Sequence, residues 1–471
     1  MLRTLREWLT LGLIVLLPFH ALFVTVGTRL LLGSGHAPMA ILAGWKEAVL
    51  GVILLIAFIE IVRATLHRSD DSGIVAAGHV DLIDASILAL LLLSVALLLT
   101  GHPSVTAHYI LGFKYDFIPL IAFLILRRVP WSDDFKNRVP LLLLVTGCIV
   151  ALYGVLTFFL PMSFFVNLGY SDAHSLYLAN GPLAAFQQIG DSAVRRIQST
   201  FSGPNQFGLW LLIPWSVVMV EIVRRKVFSF WFLVFSFLLI AIALLLTFSR
   251  AAWIGAFVIF VAALGQLPPK TFMKIIVPLI VAGALGLVMV LQSGPSVFLR
   301  LGSDRGHFER PLQAIQMMRD FPLGTGLGTA GPATNRTHDA CVFLETGDDP
   351  SWAKSNPNLC VFTGKTQVQP AGKVCNCPVL PENWYLQMGV EMGVIGFLLY
   401  AALIVILLMR LRVMSYGLRV TKVSELTLPI FFAFFALSVA ALFLHAWEDA
   451  AVAYSVWALL AICVPPLSKR G

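Results

Sequence analysis

Apolar residues run along this chain in stretches near the roughly 20 positions that let a helix cross a bilayer. They lie at 8–33, 39–62, 82–101, 105–126, 139–161, 206–223, 228–248, 250–266, 273–291, 385–409, 427–444 and 447–465. The pattern predicts an all-α polytopic membrane protein with about twelve transmembrane helices. The first stretch follows Arg3 and Arg6 but has no A-x-A cleavage site and is followed by further spans. It is therefore read as a retained helix rather than a signal peptide. Three regions result: helices 1–9 over 1–291, including a loop at 162–205; a large loop over 292–384; and helices 10–12 over 385–471. A connection as long as the second loop is usually functional, and its Gly-rich, Pro-rich and amphipathic stretches predict a folded subdomain.

Composition excludes the soluble alternatives. Of 471 residues, 58% are hydrophobic and only 12% charged, with a mean hydropathy of +0.85. A soluble domain carries about 25% charged residues. A cytosolic enzyme, a disordered chain and a secreted disulfide scaffold are all ruled out.

The net charge of +8 becomes a topology signal once its members are placed. With the N-terminus in the cytoplasm, one side collects Arg63, Arg68, Arg127, Arg128, Lys136, Arg138, Arg224, Arg225, Lys226, Lys270, Lys274, Arg410, Arg412, Arg419, Lys422, Lys469 and Arg470. The short loops on the other side are nearly free of Lys and Arg, Arg29 excepted. The expected location is a bacterial inner membrane, with both termini cytoplasmic and the two long loops outside. Nucleic acid is not an expected partner.

Four of the six cysteines, Cys341, Cys360, Cys375 and Cys377, fall in the large outside loop. In an oxidising compartment they suggest two disulfides, with three possible pairings. A zinc site is the rival, but Cys-x-Cys does not match the usual ligand spacing, so no metal is expected. Cys148 and Cys463 lie inside predicted helices and read as packing residues.

Ionisable residues at membrane depth are costly, and each marks a site or a partner. Lys46, Glu47, Lys114, Asp116, Arg250, Glu391, His445, Glu448 and Asp449 all fall toward the outer side. Each one alone reads as snorkelling or a structural ion pair, such as Lys114 with Asp116. Together they predict an outward-opening charged cavity whose basic members suit a pyrophosphorylated ligand. Gly326–Gly331 spells G-x-G-x-x-G, but no preceding strand or βαβ unit is readable. It is read instead as a tight loop, whose backbone amides can meet an anion.

Several stretches then fall into one order. They are Trp45-Lys46-Glu47; Arg196-Ile197-Gln198-Ser199-Thr200-Phe201-Ser202-Gly203-Pro204-Asn205; Thr247-Phe248-Ser249-Arg250-Ala251-Ala252-Trp253; Asp320-Phe321-Pro322-Leu323-Gly324-Thr325-Gly326-Leu327-Gly328; and Glu382-Asn383-Trp384-Tyr385-Leu386 with Glu391-Met392-Gly393-Val394-Ile395-Gly396. In order and spacing they resemble the O-antigen ligase and O-antigen polymerase superfamily across about 40–471. The resemblance implies a GT-C-type membrane fold without a cofactor. It also implies transfer of an undecaprenyl-pyrophosphate-linked glycan to an acceptor hydroxyl on the extracytoplasmic face, with inversion. Its partners would be the lipid-linked donor, a glycan or lipid-glycan acceptor, and membrane lipid.

Arg250 matches the family's S-R position and would meet the leaving pyrophosphate, as its planar fork suits phosphate. A second arginine is expected from the loop, Arg305 or Arg310, with Lys46, Lys114 and Asn383 as further binding candidates. Where family ligases carry the histidine proposed to activate the acceptor, this chain has Glu382. A carboxylate can serve as the base, or His307 can take that role. Glu382 also fits a helix start favoured by the dipole. The change tilts the expectation toward a polysaccharide polymerase over a ligase. The alternatives are an O-linked protein oligosaccharyltransferase and a secondary transporter or flippase of envelope glycolipids. Transport is disfavoured because no internal repeat is visible and the charges sit in the outer half.

Overall fold

The computed structural model describes residues 1–67, 80–100, 106–172, 181–189, 194–224, 229–278, 301–344, 357–364, 366–417, 426–447 and 449–466. The protein is mostly helical: α1 Leu2–Leu16, α2 His20–Leu32, α3 Ala40–Ala43, α4 Trp45–His67, α5 Leu82–Thr100, α6 Thr106–Leu126, α7 Asp133–Thr157, α8 Met162–Leu168, α9 Pro204–Arg224, α10 Phe230–Leu246, α11 Arg250–Leu264, α12 Leu301–Asp320, α13 Trp384–Gly417, α14 Thr427–Ala440 and α15 Ala450–Cys463. Seven described helical stretches are long and apolar enough to cross a membrane, and α10, α11, α14 and α15 are shorter apolar helices. Residues 269–278 are helical; the rest of the span expected at 273–291 lies outside the described residues.

The first expected span is one stretch bent at Pro18, where a 3₁₀ turn over Leu17–Phe19 joins α1 to α2. Proline has no N–H to donate and cannot continue a regular ladder. Helix α9 is the hub. It is buried over nearly all of Pro204–Glu221 and packs against α7, α10, α11, α14 and α15.

The helix ends that charge alternation assigns to one side converge. Arg127, fully buried, pairs with Asp81 at 2.6 Å and Asp84 at 2.9 Å, and its Nε donates to Val464 O at 3.2 Å. Arg128 pairs with Asp84 at 2.9 Å, and Arg6 with Glu60 at 2.9 Å. Arg127 and Arg128 of the topology reading thus also tie together the ends of α5, α6 and α15, and Arg6 ties α1 to α4.

Helix α13 departs from expectation. The tenth span, expected as one helix over 385–409, is broken at Gly393, whose φ of +70° and ψ of −174° are not helical. The backbone groups freed by the break, two carbonyls and one N–H, are paired with a segment of the large loop. Thr325 N–H donates to Val390 O at 2.8 Å, Gly326 N–H to Glu391 O at 2.9 Å, and Val394 N–H to Pro322 O at 3.0 Å.

The large loop is folded where it is described. Helix α12 packs on the first half of α13, with Ala314, Ala330 and Val390 buried between them. Beyond it lies a small sheet: β3 Cys341–Leu344 runs parallel to β4 Cys360–Thr363, and β4 pairs antiparallel with β5 Thr366–Gln369. Two disulfides, Cys341–Cys377 and Cys360–Cys375, select one of the three possible pairings. Cys341 and Cys360 are direct neighbours across β3 and β4. Cys375-Asn376-Cys377 therefore straps both strands, because alternate residues of an extended segment point the same way.

Candidate active site at the loop end of the bundle

The Gly-rich loop shows why its motif pairs with that of α13. Gly324, Gly326 and Gly328 have φ of +90°, +103° and +74°, a region that side chains other than glycine's rarely occupy. A Cβ on Gly328 would stand 2.0 Å from His108 O, and one on Gly324 would stand 2.4 Å from Glu391 O. The loop is thus pressed between α6 and the break in α13. Its amides do meet an anion, and the anion belongs to the chain itself. Gly328 N–H and Ala330 N–H donate to one carboxylate oxygen of the fully buried Glu391, at 3.1 and 3.2 Å.

Several of the charges expected toward the outer side meet one another. Lys114 pairs with Glu47 at 2.7 Å, and not with Asp116 as anticipated. Lys46 reaches the same carboxylate at 3.3 Å. Lys46 also contacts His20 Nε2 at 3.1 Å, while Trp45 Nε1–H donates to His20 Nδ1 at 3.0 Å. Asp116 is turned to Glu391 instead, and Asp449 caps α15 by accepting from Ala451 and Val452 N–H. Burial explains the Lys46, Lys114 and Asp449 contacts: at low dielectric a charge takes the nearest opposite group or backbone amides. Glu448 lies outside the described residues.

The arrangement that can support chemistry sits where α12 meets the start of α13. Arg310, on α12, pairs with Glu382, 72 residues away in sequence. Glu382 takes φ +51°, a strained backbone for a non-glycine residue. Its N–H donates to Nε2 of His445 at 3.1 Å, and Nδ1 of His445 lies 2.5 Å from Gln387 Oε1. Since Nε2 accepts, the neutral ring carries its proton on Nδ1 and donates it to Gln387. Burial pushes His445 down to about 4, with Arg310 acting in the same direction and Glu382 against it. Trp384 N–H donates to Ala441 O at 2.8 Å, fixing the segment on the end of α14.

Glu382 is not the helix cap. That is Asn383, whose Oδ1 accepts Leu386 N–H at 3.0 Å while Nδ2 donates to Leu442 O at 2.9 Å. Both ends of the Asn383 amide are thus engaged with backbone, a capping role.

Arg250 opens α11 after a tight turn in which Phe248 takes φ +49°. A Cβ on Gly255 would stand 3.5 Å from Ala436 O of α14. Helix α11 thereby packs on α14, the helix beyond whose end Ala441 holds Trp384. Arg305 and His307 belong to the first half of α12, and their side chains lie outside the described residues.

Two residues of the site escaped sequence reasoning as site members. His445 was visible only as one charge in an outer turn. Arg196 was visible as the first residue of its motif. It is buried, and its three nitrogens donate to Thr247 O at 3.0 Å, Gln187 Oε1 at 2.9 Å and Asn205 Oδ1 at 2.7 Å. The motif is therefore a knot that closes on itself and holds the turn leading into Arg250.

Beside the Arg310–Glu382 pair is a cavity of about 370 Å³ between α12, β3 and residues 378–381. Asp339 lies on its wall, its carboxylate held below the usual range by hydrogen bonds from Lys373 and Asn376 N–H.

Fold and site together define a polytopic helical membrane protein in which a disulfide-stapled loop subdomain docks on a broken helix and brings an Arg–Glu pair to the mouth of a cavity. The family model described as O-antigen ligase matches residues 235–348, which supports the resemblance to the O-antigen ligase and polymerase superfamily. The match includes Arg250, Arg310 and the Gly-rich loop, and it ends before Glu382. No curated protein matches the chain.

Proposed function

We infer that the protein is a glycosyltransferase that moves a glycan from a polyprenyl-pyrophosphate-linked donor to the hydroxyl of an acceptor sugar. The end of the bundle bearing α12 and the stapled sheet faces outward, and both termini are cytoplasmic. The observation carrying this reading is the contact of Arg310 with Glu382 beside a cavity, in a chain matched by the O-antigen ligase family.

The chemistry follows from the residue types. Glu382 accepts the proton of the acceptor hydroxyl as that oxygen attacks the anomeric carbon, and the bond from that carbon to the pyrophosphate oxygen breaks. Arg250 and Arg310 meet the charge growing on the departing pyrophosphate. A carboxylate paired with arginine is a weak base. Pyrophosphate competes for Arg310, so donor arrival releases Glu382 for proton transfer. Glutamate in place of histidine favours the polymerase over the ligase.

The test is a transfer assay with purified protein and polyprenyl-pyrophosphate-linked oligosaccharide. Wild-type protein should lengthen or transfer the glycan, and Glu382→Gln should not. Transfer by Glu382→Gln at the wild-type rate would remove the carboxylate from the mechanism. Accessibility of single cysteines placed near residues 336 and 412 tests the sidedness.

A further inference from the structure

The geometry points to the cavity between α12 and β3 as the binding site of the acceptor sugar, an inference that rests on the transferase reading above. Its polar wall consists of Arg310, Gln313, Asn335 and Asp339, and Met317 and Phe343 are among the apolar groups. The formal charges of that wall cancel: one arginine, one carboxylate and two neutral amides. A pyrophosphate site would carry an excess of positive charge. A balanced set of donors and acceptors suits hydroxyl groups, each of which both donates and accepts. The apolar groups offer a surface for the C–H face of a pyranose ring. At about 370 Å³ the cavity falls within the roughly 300–1,000 Å³ of small-molecule sites.

Position also sets the cavity beside the base. Pro381 lines the cavity, and the next residue, Glu382, holds Arg310 of the same wall. A hydroxyl at the Arg310 end of the cavity therefore lies beside the carboxylate that would take its proton. Another part of the wall is β3, whose first residue, Cys341, is bonded to Cys377. The disulfide-stapled sheet thus forms one side of the sugar site, giving this part of the chain a substrate-facing purpose.

The test uses the full-length protein in lipid nanodiscs, with methyl hexopyranosides and methyl N-acetylhexosaminides as probes, read by saturation-transfer NMR. Wild-type protein should bind at least one glycoside. Gln313→Trp, entering from an exposed position on α12, should abolish that binding, and Asn335→Ala should weaken it about tenfold. Arg250→Ala should leave it intact. No binding to wild-type protein, or equal binding to Gln313→Trp, overturns the assignment. If Gln313→Trp keeps the wild-type acceptor KM while Arg250→Ala loses transfer, the transferase reading stands and the cavity assignment falls. If Gln313→Trp loses glycoside binding while Glu382→Gln transfers normally, the sugar site stands and the catalytic reading falls.

Discussion

Nε2 of His445 accepts the backbone N–H of Glu382 at 3.1 Å. The bond ties the turn between α14 and α15 to the second residue before α13, and Glu382 there has a left-handed conformation. The carboxylate is thereby fixed toward Arg310 rather than free to sample the surface.

That constraint bears on catalysis directly. Glu382→Gln keeps the shape but cannot take a proton, so transfer should fall by roughly 10²–10⁴-fold, the range of a general base. Glu382→His, which restores the residue type found in family ligases, should recover part of the lost rate. Initial rates in the donor–acceptor assay decide this, and equal rates for Glu382→His and Glu382→Ala would sink the base assignment.

His445 makes stability pH-dependent in a defined window. Its folded pKa lies near 4, below the roughly 6.5 of a free histidine. Between those values the unfolded chain holds more protons than the folded one. Stability therefore rises with pH across the window, is complete above about 6.5 and is lost as pH falls toward 4. Melting temperatures from pH 7.5 to 4.5 should show this slope in wild-type protein and a shallower one in His445→Gln.

Arg250 should not tolerate its nearest substitute. Lysine keeps the charge but loses the planar fork, so Arg250→Lys and Arg250→Ala should both reduce transfer by about 10²–10³-fold. Near-normal activity in Arg250→Lys would show that a point charge suffices.

Gly393 is a structural requirement of the break in α13. A Cβ there would lie 2.2 Å from Pro322 O on a backbone at φ +70°. Gly393→Ala should destabilise the protein by about 3 kcal/mol. Gly51→Ala, with nothing within 4 Å of the added carbon, is the control. Thermal unfolding in detergent compares the two, and an unchanged melt in Gly393→Ala would contradict the geometry.

The disulfides should stabilise the loop subdomain and not the bundle. Cys360 and Cys375 are separated by 15 residues, and closing a loop of that length stabilises by about 3 kcal/mol. Cys360→Ser with Cys375→Ser should therefore speed proteolysis within 337–380 while the helices remain protease-resistant.

The long apolar runs and the placement of Lys and Arg are legible along the chain, because each span must satisfy its own backbone hydrogen bonds in lipid. Hydropathy and charge alone therefore determined that this is a polytopic membrane protein. The order of short motifs brought Arg250 and Glu382 forward as candidates, the resemblance offered Arg305 or Arg310 from the loop, and four clustered cysteines announced two bridges. The partners were not legible. Lys114 could have met Asp116, two positions away, yet it meets Glu47. The Gly-rich loop was readable as an anion nest, but nothing local said that its anion would be Glu391, more than sixty residues on. Disulfide pairing, the Arg310–Glu382 contact and the cavity beside it were likewise decided by the tertiary structure. The physical reason is range: propensity and hydropathy act over one or two turns, whereas a buried charge takes the opposite charge or the amides that packing brings nearest.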